Sequence, residues 1–198
     1  MNRHHSWTLR GAVAAALVAM TLSAAGCGTS DDGHDHAAEP MDSGGPTAAL
    51  TTPPPPQLPE QFSAVDQNDP EAVMIAAAQA LFSYTPATDP TQAAGAERAA
   101  PLFDERFYAE NKAAFSVLAP ITGAQWDQWA SQNAVVTARA SVTGDNHPPD
   151  APARISRVVA LTQTATTPAG VVLGDSTLTV YMSATRLGVW RVSALTVR

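Results

Sequence analysis

Few residues of this 198-residue chain have the type and spacing that chemistry requires. His34, His36 and Glu39 lie close together in sequence, and imidazole and carboxylate groups are ordinary ligands of zinc and copper. Structural metal sites, however, use preorganised ligands from separate elements. We therefore interpret these residues as part of a solvated tail and expect no metal and no cofactor.

Catalytic motifs are missing from the sequence. It has no Gly-x-Ser-x-Gly turn, no glycine-rich phosphate loop, no His-Glu-x-x-His and no Cys/His pair. His4 and His5 lie near the start of the chain, and His147 lies in a proline-rich turn. We therefore expect no catalytic residue and no enzymatic activity.

Two tryptophans give the clearest candidate for ligand binding. Trp126 and Trp129 are three residues apart, so they share one face of a helix. Such a pair either anchors its helix on the rest of the fold or, together with Tyr84, lines a cavity that holds an apolar ligand.

The charge distribution suggests a second candidate surface. Residues 61–150 carry a formal charge of −7 and residues 151–198 carry +4, although the whole chain is acidic at −7. Arg154, Arg157, Arg186 and Arg191 lie on or beside predicted strands, so one sheet face is expected to be basic. That face is either an ordinary solvated surface or a surface for an acidic partner or anionic headgroups. The single lysine, Lys112, argues against nucleic acid as a partner.

The amino terminus has the pattern of a secretory signal peptide over residues 1–26. Arg3 and Arg10 precede an uncharged run at 11–22, and small residues follow. This run of twelve residues is shorter than the roughly 20 that a membrane-spanning helix needs. The sequence therefore predicts an exported protein.

The only cysteine, Cys27, directly follows Ala24-Ala25-Gly26, and this resembles the lipobox of bacterial lipoproteins. In that family the cysteine is acylated through its sulfur and the signal peptide is cut before it. The resemblance implies lipid attachment at Cys27 and a position on the outer, extracytoplasmic face of the cell membrane. The alternative is a secreted protein with an incidental cysteine, and a lone cysteine in either case excludes an intramolecular disulfide.

Residues 27–60 are expected to form a disordered, acidic, proline-rich tether. Residues 28–60 carry six acids and no cation, and they lack any hydrophobic period. The four prolines at 53–56 favour the extended polyproline II conformation. Such a segment lifts a folded domain away from the bilayer.

The folded domain is expected at 61–198 and begins with helices. Asp69-Pro70-Glu71 is a helix start, and Val73, Ala77, Leu81 and Tyr84 then follow on one face. Further helices are predicted at 91–100, after Asp89-Pro90, and at 104–115. Thr122 and Gln125 have capping-box spacing, which predicts a fourth helix to about 132.

The hydrophobic period then changes from 3.6 to 2. Strands are predicted at 134–143, 155–166, 171–185 and 189–197, and the turns between them are too short for parallel crossovers. The expected fold class is α+β, in which three or four N-terminal helices pack on a curved four-stranded antiparallel sheet.

This order of elements, with the closing strand Gly188-Val-Trp190-Arg-Val192, resembles the cystatin-like cone of the nuclear-transport-factor-two superfamily over residues 66–198. The segments at 126–130, 146–150 and 157–164 are similar to lipoproteins encoded near conjugation genes in actinobacteria. The same cone occurs in scaffold proteins of type IV secretion and conjugation. Some cone proteins are enzymes with an Asp in the cavity; Asp127 is the one acid suited to that place, and we expect it on a solvated face.

The resemblance implies a lipid-anchored interaction or scaffold module, in contact with the membrane through Cys27 and with an envelope protein complex. The alternative is a carrier or sensor that holds a small apolar ligand in the cone.

Overall fold

The computed structural model describes residues 54–198. The predicted signal peptide, Cys27, His34, His36 and Glu39 lie outside the described residues, as does the first part of the tether. Within the described part, no helix is both long enough and apolar enough to cross a membrane.

The described domain is α+β, with four α-helices that precede a four-stranded antiparallel sheet. The helices begin only at residue 70, so they lead the sheet but do not lie at the amino terminus of the chain. Their bounds are α1 Pro70–Leu81, α2 Ala93–Ala99, α3 Glu105–Asn111 and α4 Gly123–Ser131. Single 3₁₀ turns occur at Glu60–Phe62, Ala100–Leu102 and Ala114–Val117.

Helix α1 begins where its capping residues predict. The Asp69 carboxylate accepts hydrogen bonds from the amides of Glu71 and Ala72, and Pro70 occupies the first turn. The helix ends at Leu81 rather than near Tyr84, because the backbone of Tyr84 exchanges two hydrogen bonds with Val136, at 2.8 and 2.9 Å. Backbone pairing of Tyr84 with β1 therefore replaces the last helical turn that the sequence predicts for α1.

The helices predicted at 91–100 and 104–115 are longer than the observed helices α2 and α3. Asp89 does not start α2; its carboxylate accepts from the amide of Thr85 and binds Arg98 instead. The Asp104 carboxylate does cap α3, at 3.0 Å from the amide nitrogen of Phe107, but the chain tightens into a 3₁₀ turn before residue 115. The Thr122–Gln125 capping box of α4 is confirmed.

The sheet is an open meander in the order β1-β2-β3-β4, and every neighbouring pair is antiparallel. The strands are β1 Val135–Val142, β2 Arg154–Thr166, β3 Val172–Leu187 and β4 Val189–Val197. Each outer strand has one short extra partner: Tyr84 bridges Val136 on β1, and Phe103 bridges Val192 on β4.

The helices cover one face of the sheet and fill the space above it. Alternate residues of β2 and β3, such as Leu161 and Val180, point toward the helices and are fully buried. Met74, Leu81 and Phe82 meet them from the helical side, each also fully buried. The interior is therefore packed with side chains.

Gly95 allows α2 to approach α1 closely. A Cβ at this position would overlap the carbonyl oxygen of Leu81 and lie 2.9 Å from Cε1 of Tyr84. We expect Gly95→Ala to lower the free energy of unfolding by about 1–3 kcal/mol, the usual cost of overpacking. Gly123→Ala is the matched control, because a Cβ there meets nothing within 4 Å. Urea unfolding measures both, and equal stabilities of the two variants would contradict the close approach.

Candidate functional site

The structure brings Tyr84, Trp126 and Trp129 into one aromatic cluster. The rings of Tyr84 and Trp126 have centroids 5.4 Å apart and are tilted by 57°. Tyr84 is 2% and Trp129 is 8% exposed, whereas Trp126 is half-buried. Ala134, just before β1, and Val136 and Ala165 of the sheet complete the cluster, which packs α4 against β1 and β2.

The two tryptophans line different clefts. Trp129 lies in a narrow cleft of about 60 Å³ with Gln163 and Gly174, while Trp126 and the exposed Asp127 line a wider, open cleft of about 280 Å³. Tyr84 lines neither of these clefts. The geometry thus gives the aromatic cluster a packing role and leaves only Trp126 with an accessible surface.

The hydroxyl of Tyr84 is buried without a hydrogen-bond partner among the described residues. Burial raises the pKa of this phenol well above its usual value, although nearby Arg98 opposes the shift. The group is therefore a neutral phenol at physiological pH.

Arg157, predicted to lie on a basic face, binds two carboxylates inside the molecule. Its Nε lies 2.6 Å from Oε1 of Glu71, and its two terminal nitrogens lie 2.7 and 2.8 Å from the oxygens of Asp150. The side chain is only 11% exposed. The hydrogen bond from Arg157 in turn lowers the pKa of Asp150.

This ion-pair network holds the long connection between β1 and β2. Strand β1 ends at Val142, and the connection then runs along the edge of β2, where the amide of Thr143 donates to the carbonyl of Val158 at 2.9 Å. Arg157 joins this connection, through Asp150, to the start of α1, through Glu71. Arg157 thus holds together β2, the connection before it and the start of α1.

The other three arginines lie near the β3–β4 turn: Arg186 and Arg191 on β3 and β4, and Arg154 at the start of β2, paired with Thr185. Arg191 is half-buried, and its guanidinium donates to Oε1 of Gln67 at 2.5 Å; burial lowers its pKa. Arg154 and Arg186 are exposed, and the amide of Arg186 donates to the carbonyl of Ala153 at 3.0 Å. The four arginines therefore do not share one surface, and the predicted interaction role stays a prediction for the two exposed ones.

The sheet face away from the helices carries a set of side chains that our sequence analysis missed. We call it the hydroxyl face, and it consists of Thr137, Thr162, Thr164, Thr177 and Thr179. Direct cross-strand pairing brings these threonines into adjacent rows, with Arg139 and Asp175 as their charged neighbours. The signal was present as threonine at every second position of predicted strands.

No group of three or more potential metal ligands occurs among residues 54–198. No protein-family model, curated protein or solved structure matches the chain. What can be said of its function therefore comes from its own residues and their geometry.

Tyr84 offers a test of the unpaired hydroxyl. A buried polar group without a partner costs about 1–3 kcal/mol, so we expect Tyr84→Phe to leave stability unchanged or to raise it by about 1 kcal/mol. Tyr84→Ala should instead be strongly destabilising, because it removes the whole ring from the aromatic cluster. Chemical denaturation distinguishes the two, and a clear loss of stability in Tyr84→Phe would show that the hydroxyl has a partner.

The ion-pair network predicts that Arg157→Met lowers the melting temperature by an amount that depends on pH. Removing Arg157 leaves two carboxylates unpaired, so the melting temperature should fall at pH 7, whereas Arg154→Met, at an exposed arginine, should leave it unchanged.

Because Arg157 lowers the pKa of Asp150, the contribution of their pair is fully present above 3.8, the ordinary value, and is lost as pH falls through the lowered pKa. The difference between wild type and Arg157→Met should therefore shrink below about pH 4. Melting curves from pH 7 to pH 3 measure it, and a constant difference over this range would contradict the network.

Proposed function

We propose that the protein is a lipid-anchored, extracytoplasmic interaction module, held on the outer face of the cell membrane through Cys27. The charged start, the short apolar run and the small residues before the lone cysteine support the anchor. More than one acyl chain gives a stable attachment, whereas a single chain binds a membrane only marginally.

The observation that carries the interaction role is the contrast between the two faces of the sheet. The covered face is packed solidly with Met74, Phe82 and Leu161, which leaves the molecule little internal space for a substrate or ligand. The opposite face of the sheet is exposed to solvent. The threonines of the hydroxyl face lie on it, with few charged side chains around them that would bind water strongly. Exposed sheet surfaces with few charges suit contact with another protein, because charged residues are depleted at the centre of such interfaces.

The alternative, a carrier of a small apolar ligand, has support in the accessible ring of Trp126. Its cleft is open and is bordered by Asp127 and Thr122, so it suits a small or partly polar molecule better than a lipid. The interaction module therefore accounts for more of the molecule.

We further propose that the domain is a cystatin-like cone and that its partner is an envelope complex of the conjugation or secretion type. The helices-first order and the closing strand at 188–192 support the cone. A scaffold of this type needs an exposed contact surface and an attachment to the membrane, and both are features of the proposed module.

The test is a pull-down of the anchored, full-length protein from its native membrane, with bound proteins identified by mass spectrometry. The test variant carries Thr137→Lys and Thr177→Lys on the hydroxyl face. We expect it to recover about tenfold less partner, because a tenfold change needs only about 1.4 kcal/mol and a buried, unpaired charge costs more.

Two further variants serve as controls. Ala124→Lys with Gln128→Lys adds the same two charges on the exposed side of α4 and should leave recovery unchanged. Cys27→Ala should release the protein from the membrane; continued membrane binding would contradict the anchor. Recovery of the bait alone, with a bound small molecule, would replace the interaction module by the carrier.

A further inference from the structure

The turn between β3 and β4 carries the most exposed large apolar side chain among residues 54–198. Leu187 is 82% exposed. Arg186 precedes it in the turn, and Arg154 at the start of β2 lies in the adjacent row, paired with Thr185. Both arginines are exposed, and neither has a carboxylate partner among residues 54–198. We call Arg154, Arg186 and Leu187 the hairpin tip.

The chain enters the described domain beside this hairpin tip. Pro54, Pro55 and Pro56 line one cleft together with Arg186 and Leu187. The side-chain amide of Gln67 fixes this arrangement by donating to the carbonyl of Pro56 at 3.0 Å. The segment that leads back to Cys27 therefore leaves the domain next to the hairpin tip.

We propose that the hairpin tip contacts the anionic headgroups of the bilayer in which Cys27 is anchored. Guanidinium groups pair with phosphate through two parallel hydrogen bonds, which suits Arg154 and Arg186. Leu187 gains free energy when it leaves water for the interfacial region. This inference rests on the proposed lipid anchor. It assigns the side of the domain that faces the membrane, and it replaces the expectation that the tether lifts the domain away from the bilayer.

Asp66 and Asp69 flank Gln67 and Asn68, which lie beside the hairpin tip, and both carboxylates have partners of their own. Asp69 accepts hydrogen bonds from the first amides of α1, where the helix dipole compensates its charge. Asp66 accepts a hydrogen bond from the amide of Asn68 at 2.8 Å. Within the described part of the chain, both arginines are thus without a carboxylate partner.

A weak contact is sufficient here because the domain is tethered. Only 26 residues separate Cys27 from Pro54. For the disordered tether that the sequence predicts, the average end-to-end distance is about 28 Å, which would keep the hairpin tip near the headgroups at an effective concentration in the millimolar range. A contact that is too weak to recruit the free domain can therefore orient the anchored one.

The experiment uses the full-length, acylated protein in vesicles of equal parts phosphatidylglycerol and phosphatidylcholine. Acylation blocks Cys27, so one introduced cysteine carries the fluorophore at either of two positions. Asn68→Cys lines the cleft at the hairpin tip, and Ala169→Cys lies in the exposed turn at the opposite end of β3. Lipids with a spin label near the headgroup quench the fluorophore when it lies close to the membrane.

We expect severalfold stronger quenching at position 68 than at position 169. The combined change Arg154→Gln, Arg186→Gln and Leu187→Ser should lower quenching at position 68 to the level at position 169. Vesicles of phosphatidylcholine alone should weaken it as well, because they remove the net negative charge.

Flotation of the vesicles separates failure of this inference from failure of the anchor. Protein that floats but is quenched equally at the two positions contradicts the hairpin-tip contact and leaves the anchor intact. Quenching at position 68 that survives the triple change contradicts the assignment of these three residues. Protein that does not float contradicts the anchor and, with it, the basis of the inference.

Discussion

The fold depends on covering one face of a sheet whose strands follow each other directly. The β2–β3 and β3–β4 turns are short and the connection at 143–153 contains no helix, so the helices of the described domain all come from the residues that precede β1. These helices cover one face of the sheet and fill it with large side chains. No helix of the described domain covers the other face, and its threonines and serines are compatible with exposure to water.

Local signals predicted most of the elements, and tertiary contacts decided where they end. Asp69 and Thr122 cap their helices as the sequence predicts, because capping involves only residues within one turn. Tyr84 leaves α1 for a bridge to Val136, a partner 52 residues away that no local pattern reveals. Asp89 has the features of a cap, yet its carboxylate binds Arg98 at 2.8 Å, and this contact exists only once α2 has packed on α1.

For the candidate site too, features that are local in sequence were predictable and contacts between distant residues were not. The spacing of Trp126 and Trp129 correctly indicates a shared helix face, but spacing does not tell which cleft each ring meets. The charge of Arg157 led to its prediction on a basic face. The carboxylates that neutralise this charge lie 7 and 86 residues away in the sequence. The hydroxyl face was visible as an alternation within single strands, although only the register between strands joins those threonines into one surface.

The short bridges that Tyr84 and Phe103 form at the two margins of the sheet affect how neighbouring copies of the protein can pair. A protein attached to a membrane is concentrated in two dimensions, where exposed strand edges invite neighbouring copies to pair and polymerise. Tyr84 occupies part of the outer edge of β1, and Phe103 does the same for β4. With a segment of its own chain on each margin, the open sheet is partly protected against such pairing, a protection that would matter most for an anchored module of the kind proposed above.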